Sequence, residues 1–317
     1  MTSRKSSDGN NRPRAIIICG PTGSGKSDLG FALAEKYGGR IISADSRQIY
    51  RRLDIGTAKP SLEDRARIIH YMIDVADIDE VFTARRYSAM AMAAINETCA
   101  EHDIPFIVGG AGLYLAALTR GIFEGPSADP NLRHDLEAEA DKAGQDYLHR
   151  QLSRIDPEAA RRISPGDRAR LIRALEVFRL TGKKISELQS RGYYERLDTE
   201  FLWIGVTPER KRLYERINRR VDRMVTSGLV DEIAGLKNDG LGNSIKQKRI
   251  VGYYEILEAL EGLITMEEAI DLVKQHSRNY AKRQLTWFRH QACAKWLDPD
   301  ANHYYNEVSR IIDDYLK

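Results

Sequence analysis

Apolar runs alternate with segments of helical periodicity through the first third of the chain. Ala15-Ile16-Ile17-Ile18-Cys19 reads as a buried strand, and Asp28 to Lys36 carries its apolar residues at helical spacing. Arg40-Ile41-Ile42-Ser43-Ala44 is a second short strand that ends at Asp45. Arg67 to Val75 gives a candidate strand or strand edge, and Ala84 to His102 patterns as a helix. Ile104-Pro105-Phe106-Ile107-Val108 is a third buried strand, stopped by Gly109-Gly110. Strands interleaved with helices predict an α/β fold, a mostly parallel sheet flanked by helices that takes its ligand at the carboxyl ends of the strands. The turn after the first strand, Asp45 and Gly109-Gly110 all fall at such ends, so one crevice is expected to gather them.

The pattern changes near Glu124-Gly125-Pro126. From there to about Arg196 it is helical with charged faces: Pro130 to Ala143, Gln145 to Ile155, Pro157 to Ile163 and Asp167 to Leu180. Phe201-Leu202-Trp203-Ile204-Gly205-Val206 then returns to a buried strand, ended by Thr207-Pro208, and the remainder reads as helical. Residues 14–125 and 197–317 are therefore expected to form the α/β core with a helical C-terminal part. Residues 126–196 are expected to form an all-helical insertion, and residues 1–13 a disordered tail.

Composition narrows the class. In 317 residues, 42% hydrophobic content supports a real core, and a net charge of +3 excludes a uniformly basic binder, so the location of positive charge matters more than its sum. The three cysteines, Cys19, Cys99 and Cys293, are isolated and build neither a disulfide framework nor a metal cluster. Met1 to Arg12 is polar, unlike a signal peptide, and no apolar run is long enough to span a bilayer. A cytoplasmic, non-membrane protein is expected.

The turn after the first strand is Gly20-Pro21-Thr22-Gly23-Ser24-Gly25-Lys26-Ser27. It fits the P-loop template in full and in the required strand–turn–helix setting. Its glycines let successive N–H groups turn inward around phosphate oxygens, and the helix start behind them adds partial positive charge. Lys26 supplies a full charge, and the Ser27 hydroxyl can hold a magnesium ion. A phosphorylated ligand is expected here.

Asp45, in Asp45-Ser46-Arg47-Gln48, would sit across the crevice from this loop. Its residue type admits three roles: metal ligand, general base, or cap of a following helix. Asp54-Ile55-Gly56-Thr57-Ala58-Lys59-Pro60 is a polar loop to which the sequence gives no role. The C-terminal part carries a different signal. No acidic residue lies between Asp271 and Asp298, a stretch holding Lys274, Arg278, Lys282, Arg283, Arg289 and Lys295. Lys274, Arg278 and Lys282 recur at every fourth position and so fall on one helical face. Tyr280, Trp287 and Phe288 are interleaved, although each of the last two rings taken singly is better read as core. Lys246 to Tyr254 and Arg210 to Arg223 are further basic segments. Cations mixed with rings suit a phosphate backbone and unstacked bases, as in single-stranded RNA loops.

From about Arg14 to Asp298 the chain resembles the tRNA dimethylallyltransferases. The resemblance is carried by Gly20 to Ser27, Asp45 to Tyr50, Asp54 to Pro60, Gly109-Gly110-Ala111-Gly112-Leu113-Tyr114 and Ala128-Asp129-Pro130. It continues through Arg173 to Gly182, Arg220-Val221-Asp222-Arg223-Met224, Arg249 to Tyr253 and Ala281 to Arg289. It implies a P-loop NTPase-like core and transfer of a dimethylallyl group from dimethylallyl diphosphate to the exocyclic amine of the adenosine 3′-adjacent to the anticodon, in tRNAs reading codons that begin with U. It implies that Gly20, Pro21, Thr22, Gly23, Ser24, Gly25, Lys26 and Ser27 hold the diphosphate with Mg2+ on Ser27. Asp45 is then the general base, and an arginine near Arg220 an extra clamp, with Arg216 and Arg219 as neighbouring candidates. Contacts to the anticodon stem-loop are implied for Asp45, Ser46, Arg47 and Gln48, for Ala111 and Arg133, and for Ala169, Arg170, Leu171, Ile172 and Arg173. They are implied as well for Arg249, Ile250, Val251, Gly252, Tyr253 and Tyr254, and for Lys282, Arg283, Gln284, Leu285, Thr286, Trp287, Phe288 and Arg289. A monomer that clamps tRNA with its helical insertion is the expected form.

One position departs from the family pattern: Ala111 stands where a threonine is usual, removing a hydroxyl from the diphosphate end. The zinc-finger extension of eukaryotic relatives has no cysteine pair to build it. Three other classes compete. A transferase acting on free adenine nucleotides has less use for the helical insertion and the acid-free tail. A small-molecule P-loop kinase leaves the basic tail unexplained, and a non-enzymatic RNA-binding protein gives Lys26 and Asp45 no reason to meet.

Overall fold

The apolar run after Pro13 forms β1 (Arg14–Cys19), and α1 (Lys26–Tyr37) follows the glycine-rich turn in this computed structural model, which describes residues 12–121, 123, 125–144, 146–190, 198–291 and 294–317. Next come β2 (Gly39–Ala44), α2 (Leu62–Arg67), β3 (His70–Tyr71), α3 (Ala84–Ala100), β4 (Ile104–Gly109) and α4 (Gly112–Arg120). The helical segment contains α5 (Pro130–Ala143), α6 (Tyr147–Ile155), α7 (Pro157–Arg162), α8 (Arg168–Thr181) and α9 (Ile185–Ser190). The chain then forms β5 (Glu200–Val206), α10 (Arg210–Thr226), α11 (Leu229–Asn238), α12 (Gly242–Lys248), α13 (Tyr253–Leu260), α14 (Met266–Gln291), β6 (Lys295–Leu297) and α15 (Tyr304–Leu316).

The six strands form one parallel sheet in the order β3-β2-β4-β1-β5-β6. Central β1 pairs on both sides, Ile17 opposite Ile107 of β4 and opposite Trp203 of β5. Because both sheet faces are covered, these strands read as near-continuous apolar runs, not alternating ones. Ile16, Ile18, Leu33, Phe106 and Val206 make the core of one face, joined by Val308 and Ile312 of α15. The carboxyl end of β1 enters the glycine-rich turn, that of β2 ends at Asp45, and that of β4 at Gly110. Parallel pairing puts these three ends at one edge of the sheet.

Three expectations change. The strand read over Arg67 to Val75 shrinks to His70–Tyr71, because Met72 and Asp74 take positive φ (66° and 58°) and cannot continue an extended ladder. The stretch after Pro208 is not wholly helical. Lys295–Leu297 adds an edge strand beside β5, with Lys295 opposite Ile204, too short to show a period. Asp45 caps no helix, since residues 46–49 form a turn.

By its internal contacts the chain falls into two compact units, residues up to Thr119 together with those from Leu197, and Arg120–Arg196. The second has its own core of Leu136, Leu148, Leu152, Leu171, Leu175 and Val177. Its helices begin on acidic caps: Asp129 Oδ1 accepts the N–H groups of Asn131 and Leu132, and Asp156 Oδ1 that of Ala159, each before a proline at the first helical position. Asp156 also accepts the N–H and hydroxyl of Ser186 at the start of α9, a helix absent from the sequence reading. Among the described residues no helix is long and apolar enough to cross a membrane. Residues 1–11 of the expected tail, Glu124 and Gln145 at expected boundaries, residues 191–197 at the expected junction, and Cys293 lie outside the described residues.

Candidate active site

The turn between β1 and α1 is built by backbone geometry. Gly25, immediately before α1, sits at φ 87°, ψ 9°, a left-handed conformation that costs glycine nothing and lets the chain swing into the helix. Ser24 is fully buried and its hydroxyl has no hydrogen-bond partner among the described residues, so the turn keeps an uncommitted polar oxygen inside. Lys26 is buried, with Nζ donating to the Pro21 carbonyl at 3.1 Å. Burial pulls its ammonium down to about 8; the Asp45 carboxylate opposes that and the Arg220 guanidinium adds to it.

Asp45 Oδ1 accepts the Arg47 N–H at 2.8 Å, an Asx turn that fixes the carboxylate at the end of β2. Its other oxygen carries no hydrogen bond among the described residues. Its negative charge is felt by Lys26, Arg220 and the Tyr280 hydroxyl, which burial and that charge together push up.

Arg220 reaches the same place from α10. Leu213, Ile217 and Val221 recur every fourth residue, are buried, and hold the helix down; Leu213 and Ile217 pack on Ala281 of α14. Arg220, next to Val221, is carried inward. Its Nη2 donates to the Thr57 carbonyl at 3.4 Å, and burial lowers its pKa despite Asp45. Arg216 instead pairs with Asp300, and Arg219 lies on a separate surface with Asp222 and Arg223. Of the three arginines, Arg220 is therefore the one beside Lys26 and Asp45.

A cavity of about 190 Å³ is lined by Thr22, Lys26, Asp45, Arg47, Arg220, Arg249 and Arg283, with Gly56, Thr57 and Tyr280. Ile217, Val221, Met224, Ile250, Val251 and Val273 give it an apolar wall. Cationic and apolar surfaces thus meet around a single carboxylate. The sequence assigns Gly56, Thr57 and Tyr280 no role in this cavity; the first two lie in the polar loop Asp54 to Pro60 that shares in the resemblance, and Tyr280 is interleaved with the cations of α14. Ser27 is exposed and lines a different cavity, of about 520 Å³, with Asp28, Ser43 and Gln48.

The expected RNA contacts divide by burial. Lys282, Arg283, Thr286, Arg289 and Arg249 are exposed, as are Ala169 and Arg170. Phe288 is fully buried, edge-on to Trp287 and Trp296, and its ring cannot stack on a base. Leu171 and Ile172 are core residues of the helical unit, and Ile250 and Tyr253 are buried as well. Gln284 is buried between the glycine-rich turn and Gly110, donating to the Gly110 carbonyl and accepting the Thr22 N–H, so its side chain faces the protein. Leu285 packs against Leu213, Ile217 and Ala281. Gln48 spends its amide on Ser43, Thr57 and Ala58. Ala111 is largely buried and donates its N–H to the Ala44 carbonyl.

Two cations in the helical unit are held by one carboxylate. Glu176, fully buried, accepts Arg133 Nε and Nη2 at 2.8 and 2.9 Å, Arg173 Nη1 at 2.6 Å and the Asp129 N–H at 2.8 Å. Burial alone would raise its carboxyl; these donors overcome that and hold it down at about 2. The face shared by Lys274, Arg278 and Lys282 is only partly free. Lys274 pairs with Asp222 at 2.6 Å and Arg278 donates to Asn218 at 2.7 Å, so the first two cations join α14 to α10. The acid-free stretch of α14 after Asp271 thus finds one carboxylate, Asp222, on its neighbour.

Known proteins resemble this chain over nearly its whole length. The chain is 44% identical over 301 residues to the tRNA dimethylallyltransferase of Geobacter sulfurreducens, covering 95% of this chain and 96% of that one. It is 45% identical over 285 residues to the tRNA dimethylallyltransferase of Thermotoga maritima, covering 90% and 92%. Its structure superposes on the full-length tRNA isopentenylpyrophosphate transferase of Bacillus halodurans with a TM-score of 0.69 and 40% identity, covering 96% of each chain. A eukaryotic dimethylallyltransferase acting on tRNA gives a TM-score of 0.77 at 28% identity, over 96% of this chain and 79% of that one. The IPP transferase family model matches residues 48–291, which takes in Arg220, Arg249 and Arg283 of the cavity wall, and with these likenesses it places the chain in the IPP transferase family.

Proposed function

We propose that this protein transfers the dimethylallyl group of dimethylallyl diphosphate to the exocyclic amine of the adenosine immediately 3′ of the anticodon, in tRNAs reading codons that begin with U. The observation that carries the reading is the meeting of Lys26, Arg220 and Asp45 around one cavity with an apolar wall. Lys26, Arg220 and the N–H groups of the glycine-rich turn bind the diphosphate and take up the charge it gains on leaving. Ile217, Val221 and Ile250 suit the five-carbon group. The amine attacks the allylic carbon, the carbon–oxygen bond to diphosphate breaks, and the amine proton passes to Asp45, whose one committed oxygen keeps the other aimed by the Asx turn.

Ser27, exposed in a cavity it shares with Asp28, Ser43 and Asp64, stands among hard oxygen donors that fit magnesium, with waters and phosphate oxygens completing its shell. When bound, the ion neutralises charge on the diphosphate. The exposed Lys282, Arg283 and Arg289, together with Arg249, serve the tRNA backbone, and the helical unit holds the anticodon stem-loop through Ala169 and Arg170. We read the protein as a cytoplasmic monomer.

The test is nucleoside mass spectrometry after incubating the protein with magnesium, dimethylallyl diphosphate and unmodified tRNA. Isopentenyladenosine next to the anticodon is expected. Equal modification of free AMP would instead assign the protein to free nucleotides.

A further inference from the structure

Glu232 of α11 lies outside the cavity, yet two of the cavity's walls hang from its carboxylate. Oε2 accepts the Ile55 N–H at 2.8 Å and the Asp54 N–H at 3.2 Å, and Oε1 faces the Gly56 N–H at 3.5 Å. Oε1 also accepts the Tyr253 hydroxyl. Tyr253 is fully buried and opens α13 directly after Arg249–Gly252, the second wall. Burial and the Glu232 charge push its hydroxyl far up, so it donates at every working pH. Gly56 lies flat against that ring: a Cβ there would come within 2.4 Å of Tyr253 Cε2.

The loop that Glu232 holds ends at Thr57, and the Thr57 carbonyl accepts Arg220 Nη2. The same carbonyl accepts Gln48 Nε2 at 3.3 Å, and the Thr57 hydroxyl donates back to the Leu53 carbonyl, so the peptide is held from both sides at that point. A backbone carbonyl can aim a guanidinium only if its own peptide is fixed. We infer that Glu232 is a positioning residue for the diphosphate clamp: by gathering the N–H groups of residues 54–56 it sets the Thr57 carbonyl that orients Arg220. The inference rests on the reading of Arg220 as a diphosphate ligand.

The experiment measures magnesium pyrophosphate binding to the full chain by calorimetry, for wild type, Glu232→Gln, Arg220→Gln and the double variant. A glutamine amide turns an N–H2 toward either the backbone donors or Tyr253, breaking one side of the clasp. Glu232→Gln is expected to weaken pyrophosphate about tenfold, equal to about 1.4 kcal/mol. The double variant should bind no more weakly than Arg220→Gln alone, because the two act through one contact. Unchanged pyrophosphate affinity in Glu232→Gln, or losses that multiply in the double variant, would overturn the inference. A wild-type chain that binds no pyrophosphate would overturn the donor reading itself. If Glu232→Gln does not fold, Tyr253→Phe removes one partner from the same carboxylate. The same cycle with Arg220→Gln then decides: a shared loss supports the inference and independent losses overturn it.

Discussion

Gln284 joins two strand ends through one amide, accepting the Thr22 N–H at 2.8 Å and donating to the Gly110 carbonyl at 3.0 Å. The long helix α14 is thereby fixed to the glycine-rich turn, while Lys282 and Arg283 of the same helical turn are exposed, Arg283 at the wall of the cavity. A residue inside a segment expected to contact RNA thus spends its side chain on the glycine-rich turn and on Gly110. Gln284→Ala leaves the Thr22 N–H and the Gly110 carbonyl without this partner, a loss of about 1–3 kcal/mol for buried groups. Its KM for dimethylallyl diphosphate should rise while tRNA affinity stays within a few-fold. Steady-state kinetics paired with a tRNA filter-binding assay separates the two, and a loss confined to tRNA affinity would return Gln284 to the RNA interface.

Among the described residues Asp45 is the only carboxylate lining the cavity that holds Lys26 and Arg220. Asp45→Asn keeps its size and a carbonyl oxygen for the Arg47 N–H but cannot take a proton. Turnover should fall about 10²- to 10⁴-fold, the range for a placed general base, with pyrophosphate and tRNA binding retained. Single-turnover kinetics at saturating tRNA reads this directly. Equal loss of binding and rate would make the residue a turn cap and nothing more.

Lys282 and Arg283 are exposed, and no ion pair engages them among the described residues. Their neutralisation to glutamine should weaken tRNA binding and reduce the slope of log affinity against log salt by about 0.7–0.9 for each lost phosphate contact. Lys274→Gln should change that slope little, because its charge is already spent on Asp222. Titrations between 50 and 200 mM salt, roughly the range over which such contacts are lost, compare the two. An unchanged slope in the Lys282 and Arg283 variant would remove this helix from the interface.

The parts of this fold most open to reading are those whose cause is local. The apolar run Ala15 to Cys19, the glycines after it and the run Ile104 to Val108 each satisfy a short-range rule, and each forms the element expected. Pro130 and Pro157 after capping acids mark helix starts to the residue. Long-range pairing hides what remains. Nothing near Lys274 or Arg278 announces that α10 will supply Asp222 and Asn218. Phe288 looks like its neighbour Trp287 until Trp296 of β6 closes over it. The loop Asp54 to Thr57 becomes part of the site only because Glu232, far along the chain, collects its N–H groups. β6 is three residues long and is a strand solely because β5 lies alongside.

Glu176 gives the helical unit an acid-sensitive joint. Its carboxyl is held at about 2, below its ordinary 4.5, by Arg133, Arg173 and the Asp129 N–H. A carboxyl whose folded pKa is depressed stabilises the fold fully above its unfolded value. That stability is lost as pH falls from about 4.5 toward 2. Glu176→Ala should cost about 1–3 kcal/mol, since it strands a partly buried guanidinium pair and the Asp129 N–H, and should flatten acid unfolding in that window. Circular dichroism against pH, wild type beside variant, checks both; an equally steep acid transition in the variant would place the sensitivity elsewhere.

Lys26 carries the opposite sign. Its ammonium is buried and held near 8, against an ordinary 10.5, so between those values the unfolded chain binds a proton that the folded chain has released. Stability of the free protein should therefore rise with pH across that interval, and the cost of the buried charge is present in full below about 8. Lys26→Met removes the charge and keeps the stem. It should stabilise the protein by about 1–3 kcal/mol at neutral pH, the order expected for a shift of this size, and abolish the rise above pH 8. Pyrophosphate affinity should collapse in the same variant, because the group that costs stability is the one that meets the anion. A chemical denaturation series from pH 7 to 10.5 with and without magnesium pyrophosphate reads all three. A variant less stable than wild type at pH 7, or one that binds pyrophosphate as well, would show that Lys26 serves the fold and not the donor.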